Sequence, residues 1–239
     1  MIVDIWTVMC KEWQELLHQQ QSIRKTVLVW LATIALIAIF SSWLTGRDWV
    51  ETRISFGFWI LLPSLLVWAT IPDSFAGERE RHTLETLLAS RLPDRAILLG
   101  KIGAVVSHAC GLTLVFFLLA LVTVNLKYWG DPLLLYAVDP FLAGMGVSLL
   151  TSTLIASLGI PISLHAATVK QASMTLGLAM YLLSGVGFAI LLLLPRLIKL
   201  KVISPPLTGW IIVAILVGLD SLLIAAAMTR FQRSQLILD

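Results

Sequence analysis

Charged residues are spaced so as to leave six long uncharged or nearly uncharged stretches along the chain. Thr26–Leu44, Ile54–Pro72, Ile102–Leu126, Pro140–Val169 and Gln171–Pro195 contain no Asp, Glu, Lys or Arg, and Leu207–Thr229 contains one, Asp220. A helix needs about 20 mostly apolar residues to cross roughly 30 Å of hydrocarbon. The pattern therefore predicts an all-α integral membrane protein with six spans, at about 26–44, 54–72, 102–126, 141–163, 172–194 and 207–229. Asp220 does not remove the sixth. An Asp at a helix centre costs about 2.5–3.5 kcal/mol, and each Leu, Ile, Val or Phe returns about 0.3–0.6 kcal/mol. Leu207–Thr229 holds eleven of those residues.

The first 25 residues follow a different period. Ile2, Ile5, Trp6, Met9, Trp13, Leu16 and Leu17 fall on one helical face, with Asp4, Lys11, Glu12, Glu15 and Gln19 turned away. No apolar core of a signal peptide is present. The segment reads as an amphipathic helix lying in the membrane surface, with packing on a partner subunit as the alternative. Lys and Arg counts set the orientation. With the N-terminus inside, the inner segments hold eleven of them and the outer segments six, which favours both termini in the cytoplasm despite the outer cluster Arg196–Lys201. Trp43, Trp49, Trp129 and Trp210, near span ends, fit interfacial aromatic belts.

Composition agrees. The 239 residues are 58% hydrophobic and 13% charged, with a mean hydropathy of +0.92, against about 25% charged residues in soluble domains. A net charge of +3 without a basic stripe excludes a nucleic-acid binder. Cys10 and Cys110 form neither a disulfide framework nor a metal motif. Small residues four apart (Gly103, Ser107, Gly111; Gly144, Ser148, Ser152, Ala156; Ser173, Gly177) predict close helix packing within one bundle. Pro63 and Pro161 are expected to kink their spans, with Gly159 easing the second. Within the apolar stretches His108, His165, Gln171 and Asp220 are the polar groups to weigh, and Asp220 is a candidate either for a structural hydrogen bond across helices or for lining the substrate path. HExxH and GxSxG are absent, as is any pair of intramembrane aspartates, so a protease or lipase has no catalytic group to point to.

Asp73–Asp94 is the most informative connection. Glu78, Arg79, Glu80 and Arg81 make a mixed-charge turn, Arg81/Glu85 and Glu78/His82 are spaced to support a short helix, and Leu84, Leu87 and Leu88 give it an apolar face. Pro93 ends it and Asp94 is placed to cap the next helix. Such an element, at about 78–90, is too polar for lipid and is clamped between two spans. It is either a lever for a soluble partner or a re-entry loop with solvated charges. The run Asp73…Ala76-Gly77-Glu78-Arg79-Glu80…Thr83-Leu84-Glu85-x-Leu87-Leu88, followed by Gly100-Lys101, resembles the signature of type 2 ABC transporter permeases, the ABC-2 family. Lys11-Glu12-Trp13 with Glu15-Leu16 is similar to that family's connecting helix. His82 departs from the glycine common at that place, and Leu92 from a small or β-branched residue. The Thr45–Arg53 connection leaves no room for an outer domain.

The resemblance implies three parts: a connecting helix at 1–25, a six-span domain at 26–229 and a cytoplasmic tail at 230–239. It also implies a coupling helix whose Glu78, Arg79, Glu80, Thr83, Leu84, Glu85, Leu87 and Leu88 dock on an ABC ATPase subunit, present in two copies. The leucines would seat in the ATPase and the charged residues fix register. No GxxxxGK[ST] occurs, so ATP and Mg are expected in the partner, with neither cofactor nor catalysis in this chain. A second permease copy or a sister would complete an exporter in the plasma or inner membrane. A haem-export-type permease of cytochrome c maturation, a membrane scaffold or assembly factor, and an integral membrane enzyme are the alternatives.

Overall fold

The computed structural model describes residues 1–18, 21–52, 54–199 and 205–230, with side chains 16–28, 30, 88, 186–199, 205–209 and 230 outside that description. Gln19, the expected tail from 231 onward and the centre of the Arg196–Lys201 cluster fall outside it. The described chain is helical: α1 Ile2–His18, α2 Gln21–Thr45, α3 Asp48–Glu51, α4 Phe56–Thr70, a 3-10 turn Ile71–Ser74, α5 Ala76–Glu80, α6 Leu84–Leu88, α7 Asp94–Lys127, α8 Val138–His165, α9 Val169–Lys199 and α10 Pro205–Arg230. Among the described residues four stretches are long and apolar enough to cross a membrane: Phe56–Glu80, Asp94–Lys127, Val138–His165 and Trp210–Thr229. The chain is thus a multi-pass membrane protein. The stretches expected to form the first and fifth spans are helical in α2 and α9, and part of each lies on side chains outside the description. Helix α7, with 34 residues, is about 50 Å long at 1.5 Å per residue, so it extends well past the hydrocarbon. Pro63 and Pro161 lie inside α4 and α8.

The chain divides into two compact units. The first comprises Met1–Leu66 and Leu99–Ser152. Its aromatic core joins Trp49, Phe58, Trp59, Phe116, Phe117, Tyr136 and Phe141. Trp59 stacks on Phe117 with centroids 3.9 Å apart, and Phe58 stacks on Phe116 at 5.3 Å. Trp49, expected in an interfacial belt, is instead 1% exposed. The single turn of α3 folds it inward, where its indole N–H donates to the Tyr136 hydroxyl (3.1 Å), which itself donates to the Phe117 carbonyl. Burial pushes the Tyr136 phenol up to about 12, against the opposing effect of the Trp49 bond. Trp43, Trp129 and Trp210 are exposed, as belt residues are.

Helix α1 packs on the start of α7. A Cβ on Gly100 would stand 2.6 Å from Val8, and one on Gly103 2.9 Å from the Met9 sulfur, so glycine is what lets the two helices approach. The Trp13 indole donates to the Ala104 carbonyl and the Ser107 hydroxyl, both at 3.2 Å. The buried line of α1 therefore runs through Val8 and Glu12. Glu12, expected in water, is buried and accepts from Lys101 at 2.7 Å, Lys101 itself being 0% exposed. A charge leaves water when an opposite charge waits inside. The small-residue stripe of α7 thus seats the N-terminal helix. In the α8 stripe, Gly144 lies under the Trp59 ring, while Ser148 and Ser152 meet the Cys110 sulfur at 3.7 Å.

Candidate functional site: the α5–α6 segment and the α8–α9 turn

The second unit comprises Val67–Leu98 and Thr153–Asp239, and it contains the mixed-charge segment. One continuous helix over about 78–90 is expected there. The structure has two short ones, α5 and α6, with a reversal at Arg81–Thr83. His82 adopts φ +57°. Its amide donates to the Arg79 carbonyl and the Thr83 amide to the Glu78 carbonyl, the paired bonds of a Schellman C-cap with His82 at the left-handed position. The glycine usual at this place suits that backbone, and the histidine occupies it at a steric cost. The chain reversal also ends the expected i, i+4 series. Arg81 reaches back to the Asp73 carboxylate at 3.2 Å, and the pair crosses Gly77, where a Cβ would overlap Asp73. Helix α7 begins at Asp94, so the carboxylate expected as a cap sits in the first turn, where it still suits the helix dipole.

Leu84 and Leu87 are 6% and 9% exposed. The expected apolar face for a partner is therefore turned into the protein, because an apolar side of a five-residue helix finds cover there sooner than in water. The outward residues of α6 and its approach are His82, Thr83, Glu85 and Thr86. Leu88 is helical, with its side chain outside the description. Glu78 is 2% exposed, Arg79 half-buried and Glu80 exposed.

Arg79 and Glu80 bind the turn that joins α8 to α9. The Arg79 guanidinium donates to the Leu164 carbonyl (2.9 Å) and the Ala166 carbonyl (2.8 Å), and Glu80 Oε1 accepts the Val169 amide (2.8 Å). Ser163, fully buried, accepts the Phe75 and Ala76 amides and donates to the Pro72 carbonyl at 2.8 Å. Ala76, Ala166 and Ala172, with Val169, pack into a small apolar seam beneath. Thr168 and Gln171 cap α9: the Gln171 amide donates to the Thr168 hydroxyl and the Ala167 amide to the Gln171 side-chain oxygen, both at 3.1 Å. Gln171 is thus a helix cap, and His165 ends α8 with a 2.8 Å bond to the Pro161 carbonyl. Ser163 and Asp73 carry no pattern of their own, since their partners lie in other elements, whereas Thr168 stands at capping-box spacing from Gln171.

Asp220 is 6% exposed on α10, and among the described residues neither carboxylate oxygen has a hydrogen-bond partner. His108 is half-buried in α7. In the first unit, Leu121, Val122, Leu126, Leu133 and Leu135, with Asn125, Tyr128 and Asp131, line an open groove of about 440 Å³. Its wall, the connection after α7, is held by paired bonds between the Asn125 amide and the Leu134 backbone.

The fold is that of a multi-pass helical membrane protein with a polar segment set between two of its membrane helices. The family model for the ABC-2 type transporter matches residues 3–206. The match covers most of the chain, and the protein belongs to the ABC-2 type transporter family, as a permease component of an ABC transporter. Membership implies a partner ABC ATPase subunit. The comparison with curated proteins gave no match.

Proposed function

We propose that this permease forms half of a translocation path for export, six-spanned with both termini in the cytoplasm, in the plasma or inner membrane. The observation that carries the reading is the α5–α6 segment, a polar element held to the bundle in a chain of this family. The ATPase binds ATP and Mg and hydrolyses it; this chain holds neither and catalyses nothing. Two ATPase copies serve two permeases, either two copies of this chain or one with a sister. Docking uses the outward face of the α5–α6 segment, with Glu78 buried and Arg79 and Glu80 engaged on the α8–α9 turn. Within it Thr83 and Glu85 face outward, while Leu84 and Leu87 seat α6 on the body. Asp220, buried and lacking a side-chain partner among the described residues, lies along the path.

Native mass spectrometry of the complex purified gently from its own membranes tests this. Two permeases with two soluble ATPase subunits are expected. Glu85→Lys, an exposed reversal of charge, is expected to insert normally and to lose the ATPase or leave its hydrolysis uncoupled. A wild-type chain that never brings an ATPase, or a lysine variant that transports normally, overturns the docking assignment.

A further inference from the structure

The segment α5–α6 is covalently continuous with only two membrane helices, α4 through the Ile71–Ser74 turn and α7 through Pro93. A push on it would reach those two by way of the backbone. The hydrogen bonds add a second route. Ser163 supplies three bonds to the backbone at Pro72, Phe75 and Ala76, Arg79 two to the end of α8, and Glu80 one to the start of α9. These are strong contacts for their number. Ser163 is fully buried, where unmade bonds are costly, and both Arg79 and Glu80 make charge-assisted bonds.

The order of charges matches the helix ends. The last carbonyls of a helix run out of intrahelical partners and its C-terminus carries partial negative charge, while a helix N-terminus carries the opposite sign. Arg79 meets the first, at the end of α8, and its neighbour Glu80 the second, at the start of α9. Two adjacent residues thereby hold both sides of the turn Leu164–Val169, and the alanine seam of Ala76, Ala166 and Ala172 closes the space under them.

We infer that Arg79 and Glu80, with Ser163, are transmission residues that make the coupling segment and the α8–α9 turn move as one piece. Displacement of the segment by the ATPase then enters α8 and α9 together with α4 and α7. The inference rests on the ATPase-driven reading above. It assigns to Arg79 and Glu80 a role inside the permease, in addition to any contact with the partner.

Hydrogen-exchange mass spectrometry on the intact complex, with its co-purified ATPase, compares the state without nucleotide and the state trapped with ATP and vanadate. In the wild type, peptides over 76–88 and over 164–169 are both expected to change exchange on trapping. The exchanged pair Arg79→Glu with Glu80→Arg keeps net charge and places each charge at the wrong helix end. There the trapping-dependent change over 76–88 is expected to persist and that over 164–169 to be lost. Glu80→Ala, an exposed truncation that removes only the bond to Val169, gives the same loss in part and covers the case in which the exchanged pair does not fold. Persistence of the 164–169 response in both variants, or its absence in the wild type while 76–88 responds, overturns the inference alone. No response anywhere, or no ATPase in the complex, overturns the ATPase-driven reading and the inference with it.

Discussion

At His82 a single torsion decides the shape of the α5–α6 segment. A left-handed backbone costs an ordinary L-residue about 1–2 kcal/mol, and His82 holds it at φ +57° because the Arg79 and Glu78 carbonyls need the amides that the turn brings round. Glycine removes that steric cost, offset in part by the freedom it gives the unfolded chain. His82→Gly is therefore expected to slow amide exchange at Thr83 by up to about fivefold, the equivalent of about 1 kcal/mol at 0.59 kcal/mol for RT. His82→Val should speed it, since a β-branched residue fits that region worst. Equal exchange in all three proteins would show that the cap stores no strain. The departure from glycine was legible in the sequence, but its consequence was not. Helical periodicity runs unbroken through Leu84 and Leu87, and nothing in it reports the sign of φ.

Between elements, the seam of α1 with α7 shows where pattern reading succeeds and where it stops. Its position is legible in part: the amphipathic period of the N-terminal helix and the small-residue stripe at Gly103 and Ser107 both stand in the sequence, though nothing there pairs one with the other. By periodicity Glu12 belongs to the watery face, and the ammonium that retains it inside lies 89 residues along the chain. Trp49 follows the same rule, as the Tyr136 hydroxyl that holds it is 87 residues away, whereas Gln171 does not: Thr168 and Gln171 stand at the Thr-x-x-Gln spacing of a capping box, which is legible in the sequence. The pair of Glu12 with Lys101 gives a measurable signature. Removing one partner of a buried ion pair costs about 3–5 kcal/mol, while replacing both by apolar groups is often neutral. Lys11, 3.8 Å from Glu12, should hold the cost of losing Lys101 near the lower end. Lys101→Met is expected to lower thermal stability in detergent by about 3 kcal/mol, and the double variant with Glu12→Leu to recover most of it. Additive losses would mean that the two side chains act independently.

Across the whole molecule, the long uncharged stretches announced a membrane bundle at once, because no alternative solvent accepts so many apolar residues. Which side each connection faces is a separate matter, and here the charge asymmetry and the docking segment make one joint statement. If an ATPase grips α5–α6, that segment lies in the cytoplasm, and each crossing of the bilayer inverts the side of the next connection. Residues 128–137, one long helix further on, must then be outside. The Lys and Arg distribution reaches the same assignment without reference to any partner. Cysteine labelling separates the two sides directly. With Cys10 and Cys110 replaced by alanine, Leu133→Cys, which is 73% exposed, is expected to react with a membrane-impermeant maleimide in intact cells. Ala89→Cys, exposed just after α6, should react only once the membrane is opened. The reverse pattern would place α5–α6 where no ATP-driven subunit can reach it. Docking, transmission through Arg79 and Glu80, and the charge-based orientation would then fail together, since all three require the same face of the bundle to be inside.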